Sequence, residues 1–204
     1  MKRDNEIRPE DYAEALKVLR EGGTLLYPTD TVWGLGCDAT DPVAVKKIFD
    51  IKRRDDSKSL VLLVSDEDML ARYVKDIPEI ALQLIEVNDK PMTIIYPGAV
   101  VGDMESQSKY ALAPNTVAVD GTVGIRIPMM DWCRNLIHKL GRPIVSTSAN
   151  ISGEATPRRF SEISEEIKSA VDYVCNPSLE AQSTGKSSSI IKVGTDFSIE
   201  VIRK

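Results

Sequence analysis

The sequence predicts a single α/β domain built on a twisted, open, mixed β-sheet flanked by helices. Helical and extended patterns alternate along the chain, as βα units require. Two hairpin signals interrupt that alternation, which argues against a wholly parallel sheet. The length of 204 residues, 42% hydrophobic and 28% charged, suits one well-formed core of ordinary globular composition. No repeat, low-complexity tract or linker divides the chain, so residues 1–204 read as one unit.

The elements follow in order. Residues 9–21 read as an amphipathic helix with Tyr12, Ala15, Leu16 and Leu19 on one face, and Gly22-Gly23 stops it. Thr24–Tyr27 is a short buried strand. Asp41-Pro42 opens the next helix, with Asp as N-cap and Pro at the first helical position, and it runs to about Lys52. Leu60–Val64 is an apolar run of strand length. Residues 66–87 read as two short helices broken at Pro78, and Met92–Tyr96 as a strand closed by Pro97-Gly98. Residues 98–115 lack periodicity and read as a loop or flap. Thr116–Val119 and Val123–Ile127 read as strands joined at Asp120-Gly121, a hairpin-type turn. Asp131–Leu140 is a helix stopped by Gly141, and Ile144-Val145 is a strand leading into Ser146. Residues 161–171 read as a helix, and Ser188–Val193 with Phe197–Arg203 as a final strand pair.

Several function classes are disfavoured. The net charge of −5 argues against a general nucleic-acid coat, so phosphate binding needs a local basic patch. Cys37, Cys133 and Cys175 are too few and too widely spaced for a disulfide framework or a zinc site. No protein-held metal is expected, and a reducing, cytoplasmic setting is. His138 is the only histidine, so a His-based triad would rest on it alone. The N-terminus is polar, without an apolar signal segment, and no run is long enough to span a membrane. Gly185-Lys186-Ser187 looks like the end of a P-loop, but Glu180 stands where the first glycine must be.

Four polar segments lie at the ends of apolar strands. Tyr27–Gly36 carries Thr29, Asp30 and Thr31 plus two glycines that permit close backbone approach. It suits a small ligand or a tight structural turn. Lys52–Ser59 places four cations within seven residues at a helix end. They could clamp phosphate oxygens, or simply favour the helix dipole in solvent. Arg126 sits inside the apolar strand of Thr122–Pro128, where a buried cation needs a ligand or an internal partner. Ser146–Gly153 offers small hydroxyls and the Asn150 amide after a strand, as a donor set or a Ser/Thr-rich loop.

Together, and in this order, these segments resemble the YrdC-like family, the threonylcarbamoyl-adenylate synthases. The matching motifs are Tyr27–Gly36, Lys52-x-Arg54 with Lys58-Ser59-Leu60, Gly124–Pro128, Ser148-Ala149-Asn150 and Ser187–Ile191. The resemblance implies a twisted open sheet with a concave basic face, in the short, single-domain bacterial form. It implies that L-threonine, bicarbonate or CO2, and ATP give threonylcarbamoyl-AMP and pyrophosphate. A separate tRNA threonylcarbamoyltransferase would take the product to adenosine 37 of tRNAs that read ANN codons. ATP would be the nucleotide, with Mg²⁺ carried on it, and a weak RNA or tRNA contact is conceivable.

By motif, the resemblance gives Lys52 and Arg54 the catalytic role of neutralising the leaving pyrophosphate. Arg54, Lys58, Thr122, Asn150 and Arg203 would contact ATP. Thr31, Arg126, Ser148 and Ser188 would hold threonine, Arg126 taking its carboxylate. The sequence departs from the family pattern at Asp55 (often Pro), Leu63 (His in many members), Trp33 (commonly Tyr) and Ser188-Ser189-Ile190 (S-T-[VI]). Two other readings stand beside this one: an RNA-binding module of the same fold without chemistry, and a different adenylyl- or carbamoyl-transfer enzyme.

Overall fold

A computed structural model of the protein describes residues 10–54, 60–105 and 108–204. The first helix, α1 (Glu10–Arg20), buries Tyr12, Ala15, Leu16 and Leu19. Gly22 then takes a left-handed φ of 73°, and the Gly23 amide closes the helix on the Val18 carbonyl at 2.8 Å. The next helix, α2 (Pro42–Lys52), starts as its sequence dictates. The Asp41 carboxylate accepts from the amides of Val43 and Ala44 at 2.9 and 3.1 Å. It ends on Arg53, whose φ of 49° lets the Arg54 amide reach back to the Phe49 carbonyl at 3.0 Å. Helices α3 (Glu67–Tyr73) and α4 (Glu79–Val87) flank Pro78 as expected. Farther on, α5 (Asp131–Leu140) stops at Gly141, and its Trp132 stacks on Tyr12 of α1 with ring centroids 5.9 Å apart.

The strands are β1 (Leu25–Tyr27), β2 (Gly34–Gly36), β3 (Val61–Leu63), β4 (Met92–Tyr96), β5 (Val123–Arg126), β6 (Ile144–Ser148), β7 (Tyr173–Val174), β8 (Ser189–Val193) and β9 (Ile199–Arg203). They form one nine-stranded sheet in the order β7-β1-β2-β6-β3-β5-β4-β8-β9. Three pairings are parallel, β1 with β7, β3 with β5 and β4 with β8, and the others antiparallel. The mixed sheet is therefore as expected.

Side chains alternate between the two faces of a strand, and here the alternation separates core from site. Leu35, Leu62, Ile94, Ile125, Val145 and Val193 point one way and are at most 2% exposed. The opposite face carries Gly34, Val61, Thr93, Gly124, Arg126, Ser146, Ser148 and Lys192, and it borders a cavity.

Four expectations are corrected. Thr116–Val119 is not a strand: Pro114–Thr116 is a single 3-10 turn. The tight turn at Asp120-Gly121 exists, with the Ala118 amide on the Thr122 carbonyl at 2.9 Å. However, β3 and β4 already occupy both edges of β5, which leaves no ladder for a hairpin partner. The helix expected over 161–171 is shorter. A 3-10 turn at Phe160–Glu162 precedes α6 (Glu165–Ala170), which Ser164 caps. The Ser/Thr-rich segment placed after the strand at Val145 begins inside it, since β6 continues through Ser148. Finally, β2 lies inside the segment read as a turn. Two glycines disguise it as a strand, and packing explains one of them. Tyr27 crosses β2 to donate to the Val145 carbonyl at 3.0 Å. A Cβ on Gly36 would sit 2.5 Å from both Tyr27 Cε1 and the Val145 oxygen.

The segment 98–115, read as a loop or flap, is tied down. Val100 donates to the Tyr73 carbonyl and Ala113 to that of Ala39, both at 2.9 Å. Among the described residues, none between 98 and 115 lines the cavity. No helix of the described residues is long and apolar enough to cross a membrane.

Candidate active site

The cavity on the polar face of the sheet has a volume of about 620 Å³. Thr31, Arg54, Thr122, Arg126, Ser148, Ser188 and Arg203 all line it. These seven come from segments spread over most of the chain, and each was singled out from the sequence. The described lining holds four cations, Arg54, Arg126, Lys192 and Arg203, against one carboxylate, Glu200. A basic concavity therefore sits on an acidic protein.

Arg126 is 4% exposed at the end of β5. One terminal nitrogen is paired with the Asp30 carboxylate. The other donates to Thr31 Oγ1 at 3.3 Å. Asp30 also accepts from the Met129 amide at 3.0 Å, and Thr31 Oγ1 lies 2.8 Å from Thr29 Oγ1. The internal partner and the cavity-facing cation thus coexist in one residue. A guanidinium has five donors, so two fixed contacts orient it and leave others for a carboxylate ligand. The turn is also held from behind. Ser183 Oγ donates to the Thr29 carbonyl at 2.5 Å, and the Gly185 amide to the Thr31 carbonyl at 2.7 Å.

Lys52 is placed differently from its expected role. It is 2% exposed, behind the cavity wall, and its ammonium donates to the carbonyls of Ser148 and Asn150 at 2.5 and 2.7 Å. Burial, and then the charge of Arg54, lower its pKa to about 8. With its donors directed at two backbone oxygens, Lys52 shapes the 148–150 turn and is not in the cavity lining. Asn150 is likewise not in the lining. Its Nδ2 donates to the carbonyls of Ile151 and Glu154 at 3.1 and 2.9 Å. Arg54 does face the cavity, half-buried, with its pKa lowered by burial. Lys58 lies outside the described residues.

At the other end, Ser188 Oγ is 2.8 Å from Thr93 Oγ1. The Ser188 carbonyl accepts from Arg203 Nε and Nη2 at 2.9 and 2.8 Å. Thr122 Oγ1 donates to Asp120 at 2.6 Å, and Lys192 pairs with the same carboxylate at 3.0 Å. The Thr122 hydrogen bond, followed by the Lys192 contact, holds the Asp120 pKa down at about 2. Thr93 and Lys192 also line the cavity without belonging to any of the four polar segments, whereas Ser146 opens the fourth. Their signal was strand parity, since each occupies the polar phase of an alternating strand. Trp33 was noted only as a departure. It is fully buried beside the cavity, donates to Glu180 at 2.5 Å and packs on Phe160 with centroids 4.9 Å apart. Leu63, where many family members have histidine, is fully buried opposite Arg126 and outside the described lining.

The chain is similar in sequence and in fold to known proteins. The family model for Sua5, YciO and YrdC proteins, described as telomere recombination, matches residues 17–204. The chain belongs to the Sua5/YciO/YrdC family. Among relatives in the family, a threonylcarbamoyl-AMP synthase of Idiomarina loihiensis is 29% identical over 197 residues, 95% of this chain and 97% of that one. One of Bacillus subtilis is 33% identical over 155 residues, 76% of this chain and 42% of that protein. The crystal structure of Pyrococcus abyssi Sua5 complexed with L-threonine superposes with a TM-score of 0.79 at 28% identity, covering 93% of this chain. This chain spans 52% of that Sua5 chain.

Proposed function

We propose that this chain is a threonylcarbamoyl-AMP synthase. The observation that supports it most is the convergence of Thr31, Arg126 and Ser188 with Arg54, Thr122 and Arg203 around one basic cavity. Two anionic substrates need such a site, one presenting a carboxylate and the other phosphates. The names of the relatives favour chemistry over a binding module without it.

The threonine carboxylate binds Arg126, whose orientation Asp30 and Thr31 fix. The threonine amine adds to CO2 and loses a proton, giving a carbamate. A carbamate oxygen attacks the α-phosphorus of ATP, the bond to the bridging oxygen breaks, and pyrophosphate leaves. No protein nucleophile is required. Catalysis consists of positioning two substrates and stabilising charge on the leaving phosphates. Arg54 serves the second task directly, with Lys58 assigned to it by motif. Lys52 serves it indirectly, by fixing the 148–150 turn. Thr122, Arg203 and Asn150 belong to the nucleotide side, and Ser148 and Ser188 to the threonine side. Mg²⁺ arrives on the nucleotide, where it would neutralise phosphate charge. Among the described residues no cluster of three His, Cys, Asp or Glu offers it a cage.

The product passes to a tRNA-modifying transferase that carries the threonylcarbamoyl group to adenosine 37. The setting is cytoplasmic, in keeping with three buried cysteines that form no disulfide. The test is pyrophosphate release from ATP and bicarbonate with each amino acid in turn. Release with threonine alone is expected, and no release with any amino acid would refute the proposal.

A further inference from the structure

A second cleft, of about 710 Å³, adjoins the nucleotide cavity. The two share Val32, Thr156, Ser187 and Arg203 as common wall. Five cationic side chains line the second cleft, those of Lys90, Arg158, Lys186, Arg203 and Lys204, and its described lining contains no acidic side chain. Lys90, Arg158, Lys186 and Lys204 are exposed, and none forms an ion pair among the described residues. Arg203 is tethered to the Ser188 carbonyl. The whole chain has five more acidic than basic residues, so chance mixing of surface charge would have placed carboxylates here. Uncompensated like charges repel one another and raise the local potential, which an anion relieves. The hydroxyls of Thr156, Ser187 and Ser189 add small donors among the cations.

We infer that this cleft binds a compact oligophosphate anion, and that pyrophosphate is the form it takes up. The dense positive lining suits several phosphoryl oxygens on a small frame better than a single carboxylate. The shared wall, which includes Arg203, lets an anion leaving the nucleotide cavity pass directly into the second cleft. The identity of pyrophosphate as a reaction product rests on the synthase reading above, whereas the anion site itself does not.

Calorimetry of pyrophosphate binding to the full chain, without ATP or amino acid, tests the inference. The double variant Arg158→Gln/Lys186→Gln should bind pyrophosphate at least tenfold more weakly, while its ATP affinity stays within twofold of the wild type. Arg54→Ala, which alters only the nucleotide cavity, should weaken ATP binding by more than it weakens pyrophosphate binding. Both substituted residues of the double variant are exposed, so its fold should be unaffected. Unchanged pyrophosphate affinity in the double variant would overturn the inference. So would an equal loss of ATP and pyrophosphate affinity, which would place the anion in the nucleotide's own phosphate positions. If the tenfold loss is seen but no amino acid elicits pyrophosphate release, the anion site stands and the synthase reading falls.

Discussion

Asp30 and Arg126 form a buried ion pair across 96 residues of sequence, and Arg126 stands in the wall of the cavity. Arg126 alone would be a buried charge facing open space. With Asp30 it becomes a fixed donor, because the carboxylate is itself anchored on the Met129 amide. Removing one partner of a buried pair typically costs ~3–5 kcal/mol, since the other charge is left uncompensated. Asp30→Ala should therefore lower unfolding free energy by about that amount in denaturant titrations. The near-isosteric Asp30→Asn should fold better, yet raise KM for threonine at least tenfold while KM for ATP moves less than threefold. Equal effects on both KM values would assign Asp30 a purely structural role.

Arg54 is the described cation of the 52–58 cluster that reaches the cavity. If it stabilises charge that develops on the leaving phosphates, its loss should cost ~2.7–4 kcal/mol in the transition state. Arg54→Ala should then reduce kcat a hundredfold or more, measured by pyrophosphate release. Near-normal turnover would remove it from the phosphate clamp.

Lys52 makes a prediction with a definite pH sign. Its pKa in the folded protein is about 8, below the ordinary lysine value of 10.5. Between those values the unfolded chain binds more protons than the native one. Stability contributed through this group therefore rises as pH increases from about 8 towards 10.5. Lys52→Met removes the titration and also leaves the Ser148 and Asn150 carbonyls without their donor. Stability measured from pH 7 to 10.5 should thus show a steeper rise in the wild type than in Lys52→Met. Parallel curves would show that the ammonium is not desolvated as described.

Gly36 tests the packing that creates β2. A methyl group there would meet Tyr27 Cε1 and the Val145 oxygen at 2.5 Å, one of them backbone. Gly36→Ala should destabilise by ~1–3 kcal/mol or more, the range for overpacking. The double variant Gly36→Ala/Tyr27→Leu should recover part of that loss in thermal unfolding. No recovery would point to the Val145 backbone as the dominant clash.

Much of the site could be read before any tertiary contact was known. Seven of the ten residues assigned by motif line one cavity. Asp41 and Gly22 marked helix ends because capping is settled within a few residues. Strand parity would have placed Thr93 and Ser146 opposite the buried Ile94 and Val145, because side-chain direction has a period of two. The sequence could not reveal what lay across the chain. The family resemblance assigned Lys52 to the phosphate clamp, yet its ammonium is taken by carbonyls 96 and 98 residues away. Thr116–Val119 read as a hairpin arm because the turn signal beside it is real, but β3 and β4 had filled both edges of β5. Gly34–Gly36 read as a turn because glycine weakens strands, although the Tyr27 ring leaves no room for a side chain at Gly36. Local sequence determined caps, strand phase and the stock of polar groups. Only the tertiary structure decided which edges paired and which charges met, because those depend on backbone groups far apart in the chain competing for the same partners.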